Sequence, residues 1–117
     1  MILIPSKMQV YLNIGNTDMR KSINTLSLLV EGEMDLDPFS GHLFAFCNRR
    51  RNIIKILYWD RNGFCLWQKR LEKDKFNWPQ SYEQVLKIDQ RQLSFLLEGL
   101  DLNQAMAYKE LHYSRML

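Results

Sequence analysis

The sequence predicts an α+β domain, an antiparallel β meander of three to five strands with an N-terminal helix and a C-terminal helix packed on it. Three observations predict it. Residues 42–47, 53–59 and 64–71 are runs rich in β-branched and aromatic residues, separated by short polar turns. Apolar residues recur at helical spacing before these runs (Met19, Ile23, Leu26, Leu29, Val30) and after them (Leu93, Leu96, Leu97, Leu100). With 117 residues, 46% hydrophobic and 25% charged, the chain has the size and composition to bury one core without disulfides or metals.

The elements follow in order. Residues 10–14 form a short apolar run closed by Gly15-Asn16, a first strand. Thr17 or Asp18 then caps the first helix, which Gly32 and Pro38 end. The acidic run Glu31, Glu33, Asp35, Asp37 lacks the glycine-centred loop of a calcium site and reads as a solvated loop. Pro38-Phe39-Ser40-Gly41 is a turn, because proline presets one backbone angle and glycine accepts left-handed ones. The meander comes next, with turns at 48–52 and 60–63; Asn62 and Gly63 both tolerate the positive φ of a tight hairpin. In its third strand Phe64, Leu66, Gln68 and Arg70 share one face and Cys65, Trp67, Lys69 and Leu71 the other, so its second half is expected to be exposed. A loop carrying Phe76, Trp78 and Pro79 leads to a short strand at 85–88. Asp89 caps the second helix, Gln92 completes a capping box, and Gly99 is the stop signal. One domain is expected over 1–101; residues 102–117 form a tail of helical composition, either loosely docked or an oligomerisation element.

Cys47 and Cys65 belong to no CxxC or Cys/His cluster, which points to reduced thiols and a cytoplasmic setting. No apolar run approaches the ~18 residues of a membrane span, and Met1-Ile2-Leu3-Ile4-Pro5 lacks the charged start and long apolar stretch of a signal peptide. The expectation is neither export nor membrane insertion.

Catalytic chemistry finds no constellation. His42 and His112 have no partner at metal-ligand spacing, there is no GxSxG elbow, and the five glycines form no phosphate loop. No catalytic residue, metal site or cofactor is therefore expected. Asp18, Asp60, Glu72 and Asp74 would serve a metal-dependent nuclease only if they converged; surface ion pairs and a helix cap are the simpler reading.

Charge is more informative. Between residues 49 and 75 stand nine Lys/Arg against three acids (Asp60, Glu72, Asp74), while the rest of the chain has seven against ten. In a meander the turn at 48–52 and the far end of the third strand lie at one edge. Arg49, Arg50, Arg51, Arg61, Lys69, Arg70, Lys73 and Lys75 are thus the candidate binding residues, for nucleic-acid phosphates or an acidic protein surface. Tyr58, Trp59, Trp67, Phe76 and Trp78 either stack on bases there or pack as core, and packing is the commoner fate of strand aromatics.

Several segments in one order carry a family resemblance: Thr17-Asp18-Met19-Arg20-Lys21, then Asp37-Pro38-Phe39-Ser40-Gly41-His42-Leu43-Phe44, then Trp59-Asp60 with Asn62-Gly63-Phe64, then Lys69-Arg70-Leu71-Glu72 with Phe76 and Trp78-Pro79. Together they resemble the TnpB-type accessory protein encoded by the second reading frame of IS66 insertion sequences, over roughly residues 2–100. The resemblance implies a bacterial mobile-element protein that assists transposition beside a separate, larger transposase, and no catalytic residue carries over. The leading expectation is a non-enzymatic accessory factor that contacts DNA, the transposase or both through the cationic edge. The alternative is a protein-interaction or homo-oligomerisation module that binds no nucleic acid.

Overall fold

Leu43-Phe44-Ala45-Phe46-Cys47 is buried at every position. A strand without polar alternation is covered on both faces, and this one lies at the centre of the molecule. A computed structural model of the chain describes residues 7–102. Its strands are β1 (Val10–Asn16), β2 (Leu43–Cys47), β3 (Ile53–Asp60), β4 (Gly63–Arg70) and β5 (Val85–Ile88), with helices α1 (Ile23–Gly32) between β1 and β2 and α2 (Gln90–Leu97) after β5. They form one sheet in the order β4-β3-β2-β1-β5.

The expected meander is β2-β3-β4, paired antiparallel from Phe44↔Leu57 through Ile53↔Arg70. The sheet as a whole is mixed, which corrects the purely antiparallel expectation. β1 lies parallel to β2, Val10 beside Leu43, and β5 pairs antiparallel with β1, Val10 opposite Ile88. The physical reason is α1: a helix between two neighbouring strands carries the chain back across the sheet, so the second strand re-enters in the direction of the first.

The helices occupy opposite faces, so two cores flank the sheet. Leu26 and Val30 of α1 meet Phe44, Phe46 and Leu57 on one side. On the other, Leu93, Leu96 and Leu97 of α2 join Val10, Leu12, Ala45, Cys47, Ile54 and Ile56, with Phe76 and Trp78 completing the layer. The mixed faces of β4 have the same origin, since each meets a different core at half-burial before the strand ends in exposed Gln68 and Arg70.

Local signals held where they were self-contained. Asp89 and Gln92 form the capping box, with Gln92 N donating to Asp89 Oδ1 at 2.7 Å and Asp89 N to Gln92 Oε1 at 3.0 Å. Gly99, at φ 84°, ends α2; Leu100 N donates to Phe95 O and Gly99 N to Leu96 O, the paired bonds of a left-handed helix stop. The start of α1 differs from expectation. Its N-cap is Ser22, and Asp18 instead accepts from the backbone N of Arg20 at 2.9 Å, so Asp18 shapes a turn and Met19 precedes the helix.

The β3–β4 hairpin also departs from expectation, because the left-handed residue is Arg61, at φ 54°, with neither Asn62 nor Gly63 in that region. A left-handed conformation costs a residue with a side chain about 1–2 kcal/mol, against roughly 0.5–1 kcal/mol for glycine's greater freedom when unfolded. Arg61→Gly is therefore expected to leave urea-unfolding stability unchanged or raise it by about 1 kcal/mol. A drop of that size would mean the Arg61 side chain itself holds the hairpin. The expected tail falls, from residue 103 onward, outside the described residues.

Candidate nucleic-acid or partner interface

Four chain segments meet at one end of the sheet: the loop after β1, the turn between β2 and β3, the end of β4 and the loop that follows it. The β2–β3 turn is braced by its two asparagines. Asn48 Oδ1 accepts from the backbone N of Asn52 and of Ile53, both at 3.0 Å, and Asn48 Nδ2 donates to Asn52 Oδ1 at 2.7 Å. Arg49 and Arg50 form the exposed tip and carry none of this bonding. Leu71 N donates to Asn52 O and Phe76 N to Arg51 O, which fastens the loop bearing exposed Lys73 and Lys75 beside the turn. Arg70, opposite Ile53, completes the group and forms an exposed ion pair with Glu72 at 3.1 Å.

The eight candidate residues therefore divide. Arg49, Arg50, Arg70, Lys73 and Lys75 share one end, exposed. Arg51 sits there too, at φ 62°, but its side chain turns inward: one guanidinium nitrogen is buried and has no hydrogen-bond partner among the described residues. Burial pushes the Cys47 thiol up, and the Arg51 guanidinium beside it opposes that rise. Lys69 points onto the α2 face, where Nζ donates to Leu97 O at 2.7 Å and satisfies a helix C-terminal carbonyl. Arg61 lies at the opposite end of β3 and β4, about 26 Å away for strands of eight residues. The topology excludes it from the group. Lys55, one of the nine cations in the basic stretch, is buried and donates to Met19 O at 2.6 Å, tying β3 to the loop before α1.

Charge counting along the chain missed Arg20 and Lys21. Thr17 N donates to Cys47 O at 2.9 Å, which places their loop against the turn. Asn16, Thr17, Asp18 and Met19 line one cleft with Asn48, Arg49 and Arg50. The signal in the sequence is the adjacent pair Arg20-Lys21 that follows the first strand. Arg20 bonds Asp18 through Nε and Nη2, the latter at 2.7 Å, with its side chain 91% exposed. Those bonds, with that from the Arg20 backbone N, hold the Asp18 carboxyl at about 2, below its ordinary 3.8. Because the folded value is the depressed one, the stabilisation is complete above pH 3.8 and is lost as pH falls through 2. A carboxyl carbon NMR titration should give a midpoint near 2 for Asp18 in the native chain and a higher one, still below 3.8, in Arg20→Ala, where the backbone N–H of residue 20 continues to donate; an unmoved midpoint would assign the depression to another group.

The aromatic residues considered for base stacking are not exposed at this end. Phe76 and Trp78 are buried, and Trp78 Nε1 donates to Asn13 O at 3.1 Å. Tyr58 and Trp67 pack against the α2 core, and Trp59 stands at the far end beside Phe64. The carboxylates considered for metal chemistry do not meet, since Asp60 ends β3 while Glu72 and Asp74 follow β4 at the other end. Among the described residues no three His, Cys, Asp or Glu side chains are grouped to hold a metal ion, and no helix is long and apolar enough to cross a membrane.

The arrangement defines a small α+β domain that presents charge from braced turns at one end of a rigid sheet. The chain belongs to the IS66 Orf2-like protein family, whose model matches residues 8–107, and so to proteins associated with transposition of insertion sequences. Two uncharacterized proteins of Sinorhizobium fredii are similar: y4hO, 37% identical over 85% of this chain and 88% of its own length, and y4jC, 34% identical over 72% of each. No solved structure matches.

Proposed function

We propose that this protein is a non-catalytic accessory factor for transposition that binds the phosphate backbone of its element's DNA through Arg20, Lys21, Arg49, Arg50, Arg70, Lys73 and Lys75. The observation that carries the reading is the braced turn: Asn48 and Asn52 make its hydrogen bonds, while Arg49 and Arg50 at its tip make no contact that the fold requires. Arg20 and Arg70 have ion-pair partners in Asp18 and Glu72, whereas Arg49 and Arg50 only repel their like-charged neighbours, so a neutralising partner accounts for their placement. With the nearby aromatics in the core, contacts are to phosphates and not to bases, and duplex is expected to bind at least as well as single strands.

The transposase remains the second candidate partner, since an acidic protein surface offers the same complementarity. Measuring affinity for duplex and single-stranded DNA across a salt series tests the proposal. Log affinity falling linearly with log salt supports phosphate binding. No DNA binding at low salt, together with co-purification of the transposase, would transfer the role to protein contact.

A further inference from the structure

The opposite end of the sheet has contrary chemistry. Phe39, Trp59 and Phe64 come from three different segments and pack ring to ring, with centroids 5.1 Å apart for Phe39–Trp59, 5.3 Å for Phe39–Phe64 and 5.0 Å for Trp59–Phe64. Phe39 is 57% exposed, and Trp59 and Phe64 are half-buried, so the cluster is an open aromatic platform. Beside it, Glu31, Asp35 and Asp37 line a cleft with Leu36, Pro38 and Phe39. All three carboxylates are exposed, and none is ion-paired among the described residues. Asp37 Oδ1 accepts from the backbone N of Phe39 at 2.9 Å, which fixes the ring and the carboxylate in one turn.

We infer that the Phe39–Trp59–Phe64 platform with its acidic cleft is a second docking surface, which takes an arginine- or lysine-bearing segment of a partner protein. Charge complementarity selects the occupant. The three acids repel nucleic acid, whereas a guanidinium or ammonium group lies favourably over an aromatic face and within reach of carboxylates. A purely apolar segment would leave the acids unanswered, and the carboxylates are too dispersed to enclose a metal ion. Asp60 and Arg61 on the adjoining hairpin carry opposite charges and do not alter the balance. The inference is independent of what the cationic end binds.

The test uses the full chain and synthetic twelve-residue peptides in which leucine alternates with arginine, serine or glutamate, read by the Trp59 indole N–H signal in NMR spectra. The arginine peptide should shift that signal at submillimolar concentration. Phe39→Ala should weaken binding at least tenfold, as should Asp35→Asn combined with Asp37→Asn, the folding of both variants being checked by circular dichroism. The Arg49→Ala, Arg50→Ala variant should bind the peptide like the native chain, so failure of the DNA reading leaves this result untouched. Equal binding of the serine or glutamate peptide, or none by the arginine peptide at millimolar concentration, overturns the inference. So does a Trp59 signal that moves with protein concentration alone, because a second copy of the chain would then be the occupant.

Discussion

Replacing Arg49, Arg50, Lys73 and Lys75 together by alanine is expected to flatten the slope of log DNA affinity against log salt by about 3 to 4. Each phosphate contact on duplex DNA releases close to one counterion, so four lost contacts remove nearly that many units. The loss should be uniform across sequences, because phosphate contacts position a duplex without reading it. Stability should barely move, as exposed substitutions change it by no more than about 0.5 kcal/mol each and the asparagine bonds that brace the turn remain. Arg51 is left out because its partly buried guanidinium beside Cys47 mixes folding with binding. If the variant instead loses only co-purification with the transposase, the cationic end is a protein contact. Unchanged DNA slope, co-purification and transposition would reduce it to a solvated face.

Trp78→Ala is expected to cost about 3–5 kcal/mol, the range for truncating a large buried aromatic residue. In a domain of this size that lowers Tm by more than about 12 °C. Trp78 is 6% exposed in the α2 core and reaches across to β1 through its bond to Asn13 O, so the loss joins a cavity to an unsatisfied carbonyl. Trp78→Phe keeps most of the packing and should cost about 1–3 kcal/mol for that carbonyl alone. Urea unfolding measures both. A loss under about 1 kcal/mol for the alanine variant, accompanied by weakened single-strand binding, would return Trp78 to a base-stacking role.

What was legible in the sequence was what neighbouring residues decide among themselves. The Asp89–Gln92 box and the Gly99 stop span a few residues, and the β2-β3-β4 meander rests on short turns, so both could be read directly. The direction of β1 relative to β2 was not local: it depends on α1 docking on the sheet through Leu26 and Val30, which carries the chain back so that β2 re-enters parallel to β1. One sign was present in the unbroken apolar run Leu43–Cys47, which marks a strand covered on both sides. The site divided in the same way. Turn position placed Arg49 and Arg50 correctly at an exposed tip, whereas the inward roles of Lys55 and Lys69 depend on carbonyls more than 25 residues away in the chain. Arg61 was grouped by proximity along the chain, and the length of β3 separates it in space.

The pairing of β1 with β5 bears on how the chain acquires its structure. β2, β3 and β4 are joined by short turns and close their ladders with little loss of loop entropy, while Val10 and Ile88 meet across nearly the whole described chain. A β2-β3-β4 nucleus can therefore form first, β1 can dock beside β2 once α1 has bridged them, and the four-residue β5 must wait for β1. In pulsed hydrogen exchange the amides of β5 should gain protection last, and in the native state they should open at lower free energy than those of β3.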